Sequence, residues 1–240
     1  MTCSCYDKLY AYMKKVRNIM TQKRYQAVIF DKDGVIADSE YCNVMAKHIQ
    51  LKQAGVEVDW HYHDQFLGTT HEYMWSKMKE EFQLPKEIDY YIKQWAEVRK
   101  ELIEREGLKS MPGCIDLIKR LKSEGVLIAV ASSSNIADIK ADLHALNIDN
   151  MFDAVISGEN CLKGKPDPEI FIKAARALGV AAEDCIVIED STSGVAAAKA
   201  AGMKCIGYAY PGAAKQDIRL ADEIIADFNE LTVVHLMTGK

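Results

Sequence analysis

The sequence predicts a doubly wound α/β fold, in which a Rossmann-like parallel sheet is flanked by helices and an all-α cap domain is inserted after the first strand. From Tyr25 onward, short apolar runs rich in Val and Ile alternate with amphipathic segments, as buried parallel strands alternate with helices. Residues 39–109 break this alternation, because they show helical periodicity and no convincing strand. A chain of 240 residues is long enough for one large domain with such an insert.

Five strands are predicted along the chain, with helices between them. The segment "CIDLIKRLKSEG", which stops at Gly125, predicts the helix before the second strand, and further helices are expected to begin near Pro168 and Ser193. The strands are "YQAVIF" (25–30), "VLIAVA" (126–131), "DAVIS" (153–157), "CIVIE" (185–189) and "KCIGYA" (204–209).

The helical insert is clearest where Ile88, Ile92, Trp95, Val98 and Leu102 recur three or four residues apart. Pro and Gly in "SMPGC" punctuate the return to the core. The predicted domains are a cap (39–109), an α/β core (25–38 and 110–240) and an N-terminal helical extension (1–24).

The N-terminal extension is predicted from Leu9, Met13, Val16 and Met20, whose spacing is that of an amphipathic helix. Such a helix could pack on its own domain, pair with another subunit or remain a solvated extension. The sequence leaves these three alternatives open. We expect a monomer or a weak homodimer.

Composition narrows the class of partner and the compartment. A net charge of -5 argues against a general nucleic-acid binder, and no apolar run approaches the ~18 residues of a membrane-spanning helix. The seven cysteines are odd in number and scattered, as in a cytoplasmic protein with reduced thiols, and Cys3 and Cys5 lack the spacing of a zinc site. These features predict a cytoplasmic protein that acts on a small molecule, without nucleic acid or membrane.

Polar side chains follow the predicted strands where ligands bind in an open parallel sheet, at the carboxyl ends. Each group alone has a structural explanation as a turn or a helix cap, but together they predict a single crevice that holds acids, hydroxyls and an amine. The groups are Asp31 and Asp33 after the first strand, Ser132, Ser133, Ser134 and Asn135 after the second, Lys165 in "LKGKPDPEIF", and Glu189 and Asp190 after a later strand.

Phosphoryl transfer is the chemistry that suits these groups. Several carboxylates near one point repel each other unless a divalent cation lies among them, and an oxygen-rich site with few protein ligands suits Mg²⁺. A serine hydroxyl and a lysine ammonium can hold the remaining phosphate oxygens. The sequence therefore predicts Mg²⁺ as cofactor and a small phosphorylated metabolite as substrate.

Four motifs resemble, in order, those of the haloacid dehalogenase superfamily: "FDKDGVIADSE", the serine after "IAVA", "KGKPDPEIF" and "VIEDSTSGVAAAKAAG". The likeness is to the branch that contains β-phosphoglucomutase and small sugar or nucleotide phosphatases. They extend from Asp31 to Gly202, and the helical insert lies between the first two, as in that branch.

The resemblance implies that Asp31 is a nucleophile that forms an aspartyl-phosphate, which splits one displacement into two. It implies that Asp33 protonates the leaving oxygen and then deprotonates the attacking water. The backbone carbonyl of Asp33 is expected to reach the metal, which Asp31 also binds. Gly34 allows a sharp turn after the acid pair.

The same resemblance implies that Ser132 and Lys165 bind the transferring phosphoryl group. It makes Asp190 a ligand of Mg²⁺ and places Glu189 in or near the coordination shell. Substrate-binding positions are expected at Ser133, Asn135, Thr70 and His71.

The motifs leave the acceptor open, since water gives a phosphatase and a sugar hydroxyl gives a mutase. In the mutase branch an arginine stands at the position of His71, a lysine at that of Asn135 and a histidine at that of Asn43. These replacements remove groups that a second phosphate requires, so we favour a phosphatase and keep the mutase as the alternative. Lys47, His48 or Lys77 could instead supply the missing charge, and His71 could simply face solvent.

Other histidines and the tryptophans receive structural interpretations. His61 and His63 lack a further metal ligand and are predicted to be surface residues. Trp60, Trp75 and Trp95 are expected to fill the core of the cap, although Trp75 could also stack on a ligand. A catalytically silent binding protein is disfavoured, because Asp31, Asp33 and Lys165 are all present.

Overall fold

The computed structural model describes residues 25–66, 69–211, 213 and 216–239. The helix predicted within residues 1–24 lies outside them. The strands are β1 (Ala27–Phe30), β2 (Ala37–Asp38), β3 (Lys109–Ser110), β4 (Leu127–Ser132), β5 (Ala154–Ser157), β6 (Cys185–Glu189), β7 (Lys204–Tyr208) and β8 (Glu223–Ile225). The α-helices are α1 (Glu40–Gln53), α2 (His71–Phe82), α3 (Ile88–Glu106), α4 (Cys114–Ser123), α5 (Ile136–Ala145), α6 (Glu169–Leu178), α7 (Thr192–Ala200) and α8 (Val233–Thr238).

A parallel sheet in the order β5–β4–β1–β6–β7–β8 forms the centre of the described chain. Strand β1 lies between β4 and β6, with Phe30 in register with Val130 on one side and Ile188 on the other. The loops that follow these three strands therefore begin side by side. This confirms the doubly wound α/β core and places the predicted polar clusters at one edge.

The two faces of the sheet carry separate apolar cores, because alternate side chains of a strand point to opposite faces. Val28 and Phe30 belong to one core and Ala27 and Ile29 to the other, and all four are fully buried. Helices α4, α5 and α8 pack on the first face, and α6 and α7 on the second. Covering both faces explains why the strands read as continuous apolar runs.

The insert between β2 and β3 consists mainly of α1, α2, α3 and a 3-10 helix at Trp60–Phe66. It has its own core, in which Trp75 stacks on Tyr91 with ring centroids 5.3 Å apart. Trp75 is fully buried, which confirms the core role predicted for it. The chain leaves and re-enters through the short antiparallel pair β2–β3. The helical cap is thus present, while the residue bounds of the domains stay a prediction.

All five predicted strands are confirmed to within two residues at either end. The two-residue strands β2 and β3 were not predicted, and neither was β8, a three-residue edge strand in which Ile224 is half exposed. Because β8 is short and partly exposed, its sequence has no apolar run from which a strand could be predicted. No helix among the described residues combines the length and the apolar character needed to cross a membrane.

Replacing Leu117 by alanine is expected to lower the free energy of unfolding by ~2–5 kcal/mol. Leu117 lies on α4 with no exposed surface, so its truncation leaves a cavity against the sheet. Urea denaturation measures the loss. Leu162→Ala is the control, since Leu162 is 95% exposed and its truncation should change stability by less than ~0.5 kcal/mol. Equal losses in the two variants would contradict this packing.

Candidate active site

The carboxyl ends of β1, β4 and β6 bring the predicted acids and hydroxyls around one pocket. Asp31 follows β1, Ser132 ends β4 and Asp190 follows β6, and all three line the pocket. The walls above them come from the cap. Residues far apart in sequence thus share one space because their strands are neighbours in the sheet.

Lys165 connects Asp31, after β1, to Glu189, at the end of β6. Its ammonium group donates to Asp31 Oδ1 at 2.5 Å, to Glu189 Oε1 at 2.7 Å and to the carbonyl of Ala131 at 3.3 Å. Although burial alone would lower the pKa of Lys165, the carboxylates of Asp31 and Glu189 raise it well above its usual range. Lys165 is therefore a permanent cation beside Asp31.

One lysine does not neutralise the carboxylates around it. Burial, together with repulsion from Glu189 and Asp33, raises the pKa of Asp31 to about 7, even with Lys165 opposing the shift. Burial and repulsion from Glu189 and Asp31 likewise raise the pKa of Asp190 well above its usual range. The site therefore has an excess of negative potential, which a cation would relieve.

The donor set fits Mg²⁺ with few protein ligands. Among the described residues no three His, Cys, Asp or Glu side chains form a metal cluster, so a cation here would rest on the carboxylates of Asp31 and Asp190. The backbone carbonyl of Asp33 is the third oxygen that the resemblance offers, and Mg²⁺ commonly keeps several waters. Gly34, at φ +78°, leaves room for Asp190, because a Cβ there would overlap the Asp190 carboxylate.

Glu189 does not fit the role of a metal ligand predicted for it. Its Oε1 accepts from Lys165, and its Oε2 accepts from the backbone N–H of Ser191 at 2.7 Å and from the Ser191 hydroxyl at 2.9 Å. Glu189 is also almost fully buried. Both oxygens already have partners, so Glu189 supports Lys165 and the loop after β6 instead.

Asp33 turns towards the cap rather than towards Lys165. Its Oδ1 accepts from Lys32 at 2.7 Å, from Asn43 at 3.2 Å and from the Ser39 hydroxyl. Its Oδ2 accepts from the Ser134 hydroxyl at 3.0 Å. Burial alone would raise the pKa of Asp33, but the cations of Lys32 and Arg99 hold it well below its usual range. Asp33 is therefore a carboxylate in this arrangement.

The polar residues at and after the end of β4 have different roles in the structure. Ser132 and Ser133 line the pocket as predicted, and the Ser132 Oγ accepts from the backbone N–H of Ser134 at 3.2 Å. Asn135 is different, because its side chain accepts from the backbone N–H of Asp138 at 2.8 Å and so caps α5. It is not among the residues that line the pocket. The predicted substrate contact at Asn135 is therefore replaced by a helix cap.

The cap loop shows a similar one-residue difference. The Thr70 hydroxyl accepts from the backbone N–H of Tyr73 and caps α2, whereas Thr69 lines the pocket. The substrate contact predicted for Thr70 thus fits Thr69 instead. His71 does line the pocket, so the solvent-facing interpretation is wrong.

His71 is a neutral ring at neutral pH. Burial is the main cause that lowers its pKa to about 4, with repulsion from Lys32, Lys47 and Arg99 acting in the same direction. The ring meets Trp95 edge-on, with centroids 4.1 Å apart. Nearly buried Lys47 lines the pocket too, so it brings a cation to the cap side.

The two histidines of "DWHYHDQF" differ from each other. His61 is exposed, as predicted, and its ring nitrogen lies 3.1 Å from Asp64. His63 is fully buried, so the prediction of a surface residue is wrong for it. Its ring packs between Tyr62 and His48, which explains the error, because the core of the cap is built from aromatic rings.

Several residues that hold Asp33 were not predicted to contact it. Ser39 stands six residues after Asp33 in the first motif, so its proximity in sequence was a usable signal. Ser134 was predicted to lie in the crevice, but it is 101 residues from Asp33 in sequence. Lys32 lies between Asp31 and Asp33 in sequence, so its contact with Asp33 could also have been predicted. Arg99 and Asp142 gave no such signal, because they lie 43 residues apart and only the fold joins them.

Known proteins are similar to this chain over most of its length. Residues 28–208 match the family model described as haloacid dehalogenase-like hydrolase. The chain is 31% identical over 181 residues to the phosphorylated carbohydrates phosphatase of Thermotoga maritima, covering 75% of this chain and 83% of that protein. It is 32% identical over 223 residues to the β-phosphoglucomutase of Bacillus subtilis, covering 87% and 92%.

A solved structure shares the fold as well. CbbY from Rhodobacter sphaeroides in complex with phosphate superposes with a TM-score of 0.79 at 26% identity, covering 88% of this chain and 99% of that one. Two relatives from Arabidopsis thaliana are longer. The chain is 34% and 32% identical to them but spans only 18% and 54% of their lengths.

Asp31 is expected to make stability depend on pH when divalent cations are removed. Its pKa of about 7 exceeds the ordinary 3.8, so between these values the folded protein binds more protons than the unfolded one. The free energy of unfolding contributed by Asp31 therefore falls as pH rises from about 4 to about 7, by up to ~4 kcal/mol. Denaturation with a chelator present measures the fall.

Asp31→Asn should make this fall shallower, and saturating Mg²⁺ should do the same in the wild type. A cation beside Asp31 favours the charged form and so offsets the repulsion. If the free energy of unfolding changes with pH to the same extent in the wild type and in Asp31→Asn, the raised pKa of Asp31 is contradicted.

Gly194→Ala is expected to lower activity at least ~10-fold, because a Cβ on α7 would overlap the Glu189 carboxylate and displace it from Lys165. Phosphate release measures the loss. Ser193→Ala is the control, since the Ser193 hydroxyl is buried and has no hydrogen-bond partner among the described residues. Equal activity in the two variants would show that Glu189 does not position Lys165.

Proposed function

Because the chain belongs to the haloacid dehalogenase-like hydrolases, we propose that it is a Mg²⁺-dependent phosphatase of a small phosphomonoester, acting through an aspartyl-phosphate on Asp31. The observation that carries the proposal is the contact of buried Lys165 with Asp31, which lines the same pocket as Asp33. A nucleophile, a fixed cation and a second carboxylate with different partners are the parts that two-step phosphoryl transfer requires.

In the first step Asp31 attacks phosphorus and the bond to the leaving oxygen breaks. Lys165 lowers the repulsion between Asp31 and the incoming phosphate, and the Ser132 hydroxyl binds a phosphoryl oxygen. Asp31, Asp190 and the Asp33 carbonyl would hold Mg²⁺, which would supply positive charge near the phosphoryl oxygens. Glu189 keeps Lys165 in place.

In the second step Asp33 takes a proton from the water that attacks the aspartyl-phosphate, which releases phosphate and restores Asp31. The low pKa of Asp33 supplies the carboxylate form that a base needs. Protonating the leaving oxygen in the first step requires Asp33 first to gain a proton, which the Lys32 cation opposes.

The pocket favours a single phosphate. The uncharged ring of His71 cannot pair with an anion as an arginine does, and Asn135 caps α5. Asn43 donates to Asp33. The remaining cap lining includes apolar Val44, Phe66, Met74 and Trp95.

A sugar phosphomutase of the β-phosphoglucomutase kind is the second candidate. The observation in its favour is Lys47, a nearly buried cation on the cap side of the pocket that could bind a second phosphate. The relative from Bacillus subtilis bears that name. One lysine lacks the planar pair of donors with which an arginine binds phosphate, so we rank the mutase second.

The substrate class and setting complete the proposal. The named relative from Thermotoga maritima supports a phosphorylated carbohydrate or a similar metabolite. The net charge of -5 supports a partner other than nucleic acid. We propose a cytoplasmic monomer or weak homodimer that acts away from the membrane.

Release of inorganic phosphate from sugar, nucleotide and short-acid monophosphates, with and without Mg²⁺, tests the function. We expect metal-dependent release that Asp31→Asn abolishes, because the variant lacks the nucleophile. Negligible release, together with conversion of β-glucose 1-phosphate to glucose 6-phosphate on addition of a bisphosphate primer, would establish the mutase instead.

A further inference from the structure

A closed ring of hydrogen bonds joins Asp33 to residues far from the phosphate site. Lys32 donates to Asp33 Oδ1 at 2.7 Å and to Asp142 Oδ2 at 2.6 Å. Arg99 donates from Nη2 to both oxygens of Asp142, at 2.8 and 2.6 Å, and from Nε to Asn43 Oδ1 at 2.6 Å. Asn43 closes the ring by donating to Asp33 Oδ1 at 3.2 Å.

The ring crosses between the cap and the core. Asn43 lies on α1 and Arg99 on α3, both in the cap, whereas Asp142 lies on α5 of the core and Lys32 follows β1. The orientation of the Asp33 carboxylate therefore depends on three helices as well as on its own loop.

Three of the four charged members of the ring are buried, Asp33 is partly exposed in the pocket, and the four charges balance. Lys32 and Asp142 are each 1% exposed and Arg99 is 4% exposed. With Asp33 they make two positive and two negative groups. A buried set of charges is costly unless each member keeps its partners, so the ring has little freedom to rearrange.

The ring also distinguishes the two oxygens of Asp33. Oδ1 already accepts from Lys32, Asn43 and the Ser39 hydroxyl, whereas Oδ2 accepts from Ser134. A carboxylate oxygen offers about two lone-pair sites. Since Asp33 lines the pocket, Oδ2 is the atom with room for a water.

We propose that Lys32, Asp142 and Arg99 are positioning residues that fix Asp33 Oδ1, so that Oδ2 is the atom that accepts the proton of the attacking water. The inference rests on the phosphatase proposed above. In that step the water oxygen bonds to phosphorus and the bond to Asp31 Oδ breaks. Its electron pair returns to Asp31, and the water proton goes to Asp33 Oδ2.

p-Nitrophenyl phosphate isolates this step. Its p-nitrophenolate is a weak base that leaves without a proton, so formation of the aspartyl-phosphate does not need Asp33. Hydrolysis of the aspartyl-phosphate does need it. Because kcat/KM reports only the steps up to departure of the leaving group, a defect confined to the water step lowers kcat and KM together.

Lys32→Met tests the proposal by removing the charge while keeping an apolar chain in the buried site. With Mg²⁺ we expect kcat to fall at least ~10-fold and kcat/KM to change less than ~3-fold. The burst of p-nitrophenolate, and the aspartyl-phosphate trapped by acid quench, should rise above the wild-type level. Equal falls in kcat and kcat/KM, without a larger burst, would overturn the proposal in favour of a purely structural ring.

A second variant keeps the test decisive if Lys32→Met does not fold, which thermal unfolding reports. Asp142→Asn combined with Arg99→Gln removes one negative and one positive charge, so the ring stays neutral overall. It should lower kcat more than kcat/KM, by a smaller factor than Lys32→Met. If kcat and kcat/KM of this double variant fall by the same factor relative to the wild type, the proposal is overturned.

Lys199→Met is the control, because it breaks the ion pair of Lys199 with Asp222 on the surface and should leave both constants unchanged. The wild type separates this inference from the function on which it rests. If the wild type hydrolyses p-nitrophenyl phosphate and kcat and kcat/KM fall equally in the variants, only the positioning role of the ring is overturned. A wild type that releases no p-nitrophenolate overturns the phosphatase and the ring together.

Discussion

Repulsion among carboxylates buried at one edge of the sheet is the constraint on which the rest of the site depends. Asp31, Glu189 and Asp190 follow or end neighbouring strands, and burial strengthens the repulsion between them. Lys165 offsets part of it from the loop before α6. The remainder is an excess of negative potential, which a cation at this edge of the sheet would relieve.

The protein separates two carboxylates that are two residues apart by giving them different cations. Asp31 pairs with Lys165 and keeps a raised pKa, whereas Asp33 pairs with Lys32 and has a lowered one. The chain bends after β1 instead of continuing as a strand, so Asp31 faces Lys165 while Asp33 faces Asn43 of the cap. Two acids of the same type can then serve as nucleophile and base.

The helical insert contributes both to the pocket and to the contacts of the acid pair. It provides the apolar and aromatic wall of the pocket, the neutral His71 and the cation of Lys47. It also supplies Asn43, which donates to Asp33, and Arg99, which donates to Asp142 of the core. The orientation of Asp33 therefore depends on the cap as well as on the core.

The sequence by itself determined the elements whose signals are local. Apolar runs gave five strands, because a strand buried on both faces must be apolar throughout. Asp31, Ser132, Lys165 and Asp190 followed from motifs at strand ends, and the order of strands in the sheet brings them together. The short edge strand β8 escaped because few of its residues are buried.

Only the tertiary structure decided which neighbouring polar residue faces the pocket and which one caps a helix. Thr69 rather than Thr70 lines the pocket, and Asn135 caps α5. Both carboxylate oxygens of Glu189 accept hydrogen bonds, one from Lys165 and the other from Ser191. The pairing of Arg99 with Asp142 is equally invisible in sequence. Such choices depend on distances between elements remote along the chain, and a local pattern carries no information about those distances.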